Sequence, residues 1–130
     1  MIVVDASVVL EVLLRTTAAT AIEARIFDPA ETLHAPHLID VEIAQVVRRY
    51  VLSRQIDERR GVLTLQVWLA FPVRRYPHEA LLPRVWELRA NLTAYDAVYV
   101  ALAEALDARL LTHDARLANA AGHKGTIDLI

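Results

Sequence analysis

Apolar residues along the chain fall into short continuous runs separated by longer stretches at helical spacing. Ile2-Val3-Val4 is a β-branched run ending at Asp5, and Ser7 stands as a cap for an apolar helix over about residues 8–14. A second helix is expected over 17–27, stopping before Asp28-Pro29, and a brief extended segment over 32–35 precedes Pro36. Ile39, Ile43, Val46, Val47 and Tyr50 follow helical spacing within 37–52, and a further helix fits 56–69. Pro72 and Pro77 bracket residues 73–76, which suits an edge strand because proline is tolerated there. A helix over 81–90, a helix over 94–106 that is apolar nearly all round, a strand over 109–112, a helix over 114–121 and a strand over 126–129 complete the pattern. Strands separated by helices need crossover connections, so they pair in parallel. The expected fold is therefore α/β, a three-layer α/β/α sandwich with a central, mainly parallel sheet. With no internal repeat and no Gly/Ser linker, residues 1–130 are expected to form a single domain.

Composition changes this picture in two ways. At 55% apolar residues the chain has ample material for a core, and the absence of cysteine excludes a disulfide framework or a thiolate metal site. The opening Ile2-Val3-Val4-Asp5 is a poor signal peptide and no apolar run is long enough to span a bilayer, so a cytoplasmic location is expected. The net charge of -2 runs against nucleic-acid binding, but its distribution matters more than its sum. With four of the sixteen acids assigned to a site, twelve face fourteen basic side chains, a net +2 elsewhere. All the basic residues but Lys124 are arginine, whose planar fork suits phosphate and carboxylate, although arginine beside abundant alanine equally reflects genomic base composition.

The candidate chemistry lies in four acids. In open parallel sheets, ligands gather beyond the carboxyl ends of the strands, and Asp5 and Asp114 each follow a short apolar strand there, with hydroxyls nearby at Ser7 and Thr112. Asp96 is the only charge between residues 90 and 103, so burial is expected. Glu42 lies about 60° round the third helix from Ile39, bordering its apolar stripe. Read singly, each has a structural explanation. Thr93 and Asp96 have capping-box spacing, Asp5 and Asp114 could cap helices, and a helical glutamate is ordinarily exposed. Brought together, the four would repel one another unless cations held them, and all-oxygen ligation points to Mg²⁺ or Mn²⁺.

Four motifs carry a resemblance to a known family: Ile-Val-Val-Asp-Ala-Ser at 2–7, Ala-Pro-His-Leu-Ile-Asp-Val-Glu-Ile at 35–43, Leu-Thr-Ala-Tyr-Asp-Ala-Val-Tyr-Val-Ala-Leu-Ala at 92–103 and Leu-Leu-Thr-His-Asp-Ala-Arg-Leu at 110–117. Together, in this order and across almost the whole chain, they resemble the PIN-domain family, specifically its VapC-type toxins. The resemblance implies an acidic site of Asp5, Glu42, Asp96 and Asp114, with Asp5 and Asp96 foremost as Mg²⁺ ligands and Ser7 and Thr112 supporting by hydrogen bonds. It also implies an endoribonuclease in which a metal-activated water cleaves RNA to leave a 5′-phosphate, a homodimeric assembly, and a VapB-like antitoxin whose tail covers the cleft. The chain departs from many relatives at Gln45-Val46, where an asparagine is common, which puts one neighbouring contact in doubt and leaves the acids intact.

Other residues carry weaker readings. Arg48, Arg49, Arg54, Arg59 and Arg60 cluster at a helix junction and are candidates for RNA or antitoxin contact, or simply solvated surface. The five histidines show no zinc spacing and read as structural or surface residues, with His113 the exception to watch beside Asp114. Trp68 and Trp86 fit core or interface positions. Ser7 lacks the glycine-flanked elbow of a serine nucleophile. Two other functions compete: a receiver- or phosphatase-like phosphoryl-transfer domain, disfavoured because the opening Asp-Ala-Ser lacks a second acid, and a non-catalytic acidic binding module.

Overall fold

The computed structural model describes residues 1–130. Its elements follow the order β1 (Ile2–Val4), α1 (Ala6–Leu13), α2 (Ala19–Ile26), β2 (Leu33–Pro36), α3 (Leu38–Leu52), α4 (Glu58–Leu69), β3 (Val73–Tyr76), α5 (Leu82–Glu87), α6 (Ala94–Leu106), β4 (Arg109–Thr112), α7 (Ala115–Ala118) and β5 (Ile127–Leu129). The five strands form one sheet in the order β3-β2-β1-β4-β5, and every pairing is parallel. Parallel neighbours need crossover connections, which the helices between the strands supply. The α/β/α sandwich expected from the pattern is the fold found.

The central position of β1 follows from its composition. Ile2, Val3 and Val4 are at most 2% exposed, as befits a strand covered on both faces, where an uninterrupted apolar run replaces alternation. β3, flanked by Pro72 and Pro77, lies at an edge with its residues half-buried or exposed. α6 packs on β1, β2 and β4 with α5 against it, while α1 gathers α2, α3 and α4. All seven residues from Ala97 to Ala103 are buried, which explains a helix apolar on every side. Gly61 lets α4 approach α3, because a Cβ there would meet Val51 Cγ2 at 2.7 Å.

Three expectations need correction. The cap of α1 is Asp5, whose carboxylate accepts from Val8 N, and Ser7 sits inside the first turn. α5 is shorter than 81–90: a 3-10 turn over Glu79–Leu81 leads into it, and the Arg89 guanidinium caps the Trp86 carbonyl at 2.9 Å as it ends. α7 spans one turn rather than 114–121, ending where the backbone N–H and the side chain of Asn119 both bond the Ala115 carbonyl, at 3.1 and 2.7 Å. Trp68 is in the core and donates to Asp40, whereas Trp86 is 67% exposed with Arg89 stacked over its ring, so it is no core residue. No helix is long and apolar enough to cross a membrane.

Candidate active site

The site is built outward from the end of β1. Asp5 is 6% exposed and Thr112, at the end of the adjacent β4, is fully buried. The Thr112 hydroxyl donates to Asp5 Oδ2 at 2.5 Å and accepts from Asp114 N at 3.0 Å. Ser7 Oγ donates to Asp5 Oδ1 at 2.6 Å and accepts from His113 N at 2.9 Å. Two hydroxyls thus tie the first strand's end to the β4–α7 turn across more than a hundred residues of sequence. They hold the Asp5 carboxylate in one orientation. Burial nevertheless pushes the Asp5 carboxyl above its usual range, against the pull of the Ser7, Thr112 and backbone donors.

Glu42, in the second turn of α3, is half-buried and accepts from the Tyr99 hydroxyl of α6. Burial raises its pKa; the Tyr99 hydrogen bond opposes this, and the negative charges of Asp5 and Asp96 add to the rise. Three acids from β1, α3 and α6 therefore share one electrostatic neighbourhood. Asp96 differs from expectation: its side chain is 20% exposed, because it lies in the first turn of α6 at the rim, before the buried run begins. Thr93 caps this helix by accepting from Asp96 N, but the Asp96 carboxylate does not return the bond as a capping box would. It accepts instead from Arg116 at 2.9 Å. Asp114 does cap α7, accepting from Arg116 N and Leu117 N through Oδ1, and its Oδ2 accepts at 3.3 Å from Arg116 Nη2, the nitrogen that also reaches Asp96. Asp96 and Asp114 are thereby no farther apart than two hydrogen bonds to one atom.

Glu42 feels the charges of Asp5 and Asp96, and Asp96 and Asp114 share Arg116, yet no three acid or histidine side chains stand together as ligands of one ion. Each carboxylate has a partner within the protein: hydroxyls for Asp5, Tyr99 for Glu42 and Arg116 for Asp96 and Asp114. In other respects the donor set fits a hard divalent cation. It is all oxygen, and two of its carboxyls are raised by burial without a cationic partner. Tyr99 and Arg116 were missed as site residues in the sequence. Tyr99 sits three residues after Asp96, hence on nearly the same helix face, and Arg116 lies two residues after Asp114; those spacings were the available signals.

Other candidates lie elsewhere. Arg48, Arg49, Arg54, Arg59 and Arg60 are exposed around the α3–α4 junction. Arg48 and Arg49 stand about 9–11 Å along α3 from Glu42 at about 1.5 Å per residue. Arg60 caps the Leu14 carbonyl at 3.1 Å. His113 bonds the Ile130 carbonyl through Nδ1, securing β5 rather than facing the acids. His34 is buried between Thr32 and Tyr76.

Comparison with known proteins agrees with this architecture. Residues 2–123 match the PIN domain. Ribonuclease VapC9 of Mycobacterium tuberculosis is 49% identical over 119 residues, covering 92% of this chain and 90% of that protein. Ribonuclease VapC12 of the same species is 40% identical over 130 residues, covering 100% and 99%. In three dimensions, PAE2754 from Pyrobaculum aerophilum superposes with a TM-score of 0.70 at 27% identity, over 99% of this chain and 83% of that one. VapBC2 from Rickettsia felis, solved bound to a DNA fragment from their promoter, gives 0.72 at 13% identity over 99% and 98%, a likeness of fold alone. A parallel five-stranded sheet with this helix order, matched across nearly the whole chain by proteins of one kind, places the chain in the PIN-domain family, among the VapC ribonucleases.

Proposed function

We propose that this chain is a metal-dependent endoribonuclease, the toxin of a type II toxin–antitoxin module, and that Asp5, Glu42, Asp96 and Asp114 hold Mg²⁺ or Mn²⁺ at the sheet rim. One observation carries this reading: the half-buried Glu42 feels the negative charges of Asp96 and of the buried Asp5, which Ser7 and Thr112 fix, and neither Glu42 nor Asp5 has a cationic partner. Such like charges are costly unless a cation compensates them. When bound, a divalent cation neutralises the phosphodiester and eases ionisation of water.

The protein's part is positioning. Ser7 and Thr112 keep the Asp5 oxygens aimed and ionisable, and Tyr99 engages Glu42 Oε2, leaving Oε1 without a protein partner. Water adds to phosphorus, the bond to the 3′-oxygen breaks, and a 5′-phosphate and a 3′-hydroxyl result. No side chain need form a covalent bond to phosphorus. The kinship with VapC ribonucleases supports RNA as substrate, and the fold shared with VapBC2 is compatible with a VapB-like antitoxin as partner. The active form is a homodimer, and the exposed Arg48, Arg49, Arg54 and Arg59 offer phosphate or antitoxin contacts away from the acids.

Asp96→Asn tests the assignment. It removes one charge from an α6 terminus that Thr93 still caps, so the fold survives. Cleavage of an RNA panel with Mg²⁺ or Mn²⁺ should fall by about 100-fold or more, the scale of losing a charge-stabilising group. Wild-type turnover in the variant would sink the assignment. Wild-type protein forming a stable aspartyl-phosphate would favour the receiver-like alternative, and RNA binding without metal-dependent cleavage the binding module.

A further inference from the structure

Arg116 is the one cation within the acidic cluster. Its backbone N–H is held by Asp114 Oδ1 at 2.8 Å, and its side chain folds back so that one nitrogen, Nη2, reaches Asp96 Oδ2 at 2.9 Å and Asp114 Oδ2 at 3.3 Å. The two acids come from different elements, the start of α6 and the β4–α7 turn. Asp5 and Glu42 form no ion pair, so the positive charge balancing this rim is concentrated in a single guanidinium. The Arg116 side chain is 68% exposed, and an exposed ion pair is weak enough to part readily.

We propose that Arg116 is a built-in counter-cation that competes with the divalent ion for Asp96 and Asp114 and is displaced when the site loads. The competition is one of space and of charge. The nitrogen lies between the two Oδ2 atoms, where an ion using both would sit, and two cations so close repel. Before loading, Arg116 relieves the repulsion between Asp96 and Asp114. Displaced, it stands at the mouth of the site with its full donor fork free for a phosphate oxygen of the substrate.

This inference rests on the carboxylate metal site proposed above, and one experiment separates the two. Mn²⁺ binding is measured by calorimetry without RNA for the wild type, Arg116→Gln, Arg116→Lys and Asp96→Asn. Arg116→Gln removes the charge and leaves a shorter, neutral polar side chain at an exposed position. It should bind Mn²⁺ about three- to tenfold more tightly, the range two exposed ion pairs allow, while Arg116→Lys stays near the wild type and Asp96→Asn binds weakly. If Arg116→Gln binds no better than the wild type, or Arg116→Lys tightens equally, electrostatic competition is overturned and the metal site stands. If the wild type shows no saturable binding, or binding that Asp96→Asn leaves unchanged, the metal site fails and the inference falls with it.

Discussion

Thr112 shows how one hydroxyl can serve a carboxylate and a backbone N–H at once. It is fully buried, donates to Asp5 and accepts from the backbone of Asp114, so its loss unbinds both sides of the site at once. Thr112→Val keeps the volume and removes both bonds, leaving a buried carboxylate and a buried N–H each short of a partner. We expect about 1–3 kcal/mol of lost stability by urea denaturation, together with reduced RNA cleavage. Thr112→Ser, which keeps the hydroxyl, should restore cleavage; equal loss in both variants would make shape rather than hydrogen bonding the cause. The same residue illustrates what sequence can and cannot say about a site. Thr112 and Ser7 were legible as hydroxyls near acids, but that Thr112 reaches Asp5 and Ser7 reaches His113 depends on the spacing of β1 and β4 in the sheet.

Among the elements, α5 is the most dependent on a single contact. It is only six residues long, below the length at which a helix holds itself, and Arg84 ties it to Glu104 of α6 through two bonds at 2.6 and 3.0 Å. Glu104 also accepts from Lys124 N at 2.7 Å, joining the loop before β5 to the same helix. The Arg84 hydrogen bond holds the Glu104 carboxyl below its ordinary 4.5. A lowered folded-state pKa means that this contribution is complete above about 4.5 and is lost as pH falls through the folded value. Glu104→Gln should therefore cost about 1–3 kcal/mol at neutral pH, and the gap from the wild type should narrow as the medium is acidified below pH 4.5. A gap independent of pH would show that packing, not charge, joins α5 to α6.

For the whole molecule, the buried acids at the rim oppose stability. Asp5 and Glu42 are both raised by burial, Glu42 further by its acidic neighbours, so the folded state binds more protons than the unfolded one just above their ordinary values. By linkage, these two groups lower stability as pH rises through that window. Glu42→Gln cannot ionise. In chelator-treated protein it should gain thermal stability relative to the wild type as pH climbs above 4.5, and added Mn²⁺ should erase the gain by stabilising the wild type. A constant difference across pH would place Glu42 in a solvated setting and remove it from the cluster.

Local pattern was enough for most of the architecture. The bounds of α6, β3 and β4 followed from hydrophobic period and bracketing prolines, and parallel pairing from the alternation of strands with helices, because both depend on neighbouring residues and short connections. Ends such as those of α5 and α7 were less legible, since side chains of Arg89 and Asn119 close them by bonding carbonyls that periodicity does not register. The site divided in the same way. The four acids proposed for it could be picked out from the chain itself, but their partners could not. That Asp96 turns to Arg116 rather than to its own helix cap, and that Tyr99 reaches Glu42 over 57 residues, follows from the packing of α6 against the sheet. Charges and hydroxyls distant along the chain become neighbours only when the core closes, and the geometry of that closure decides which of them meet.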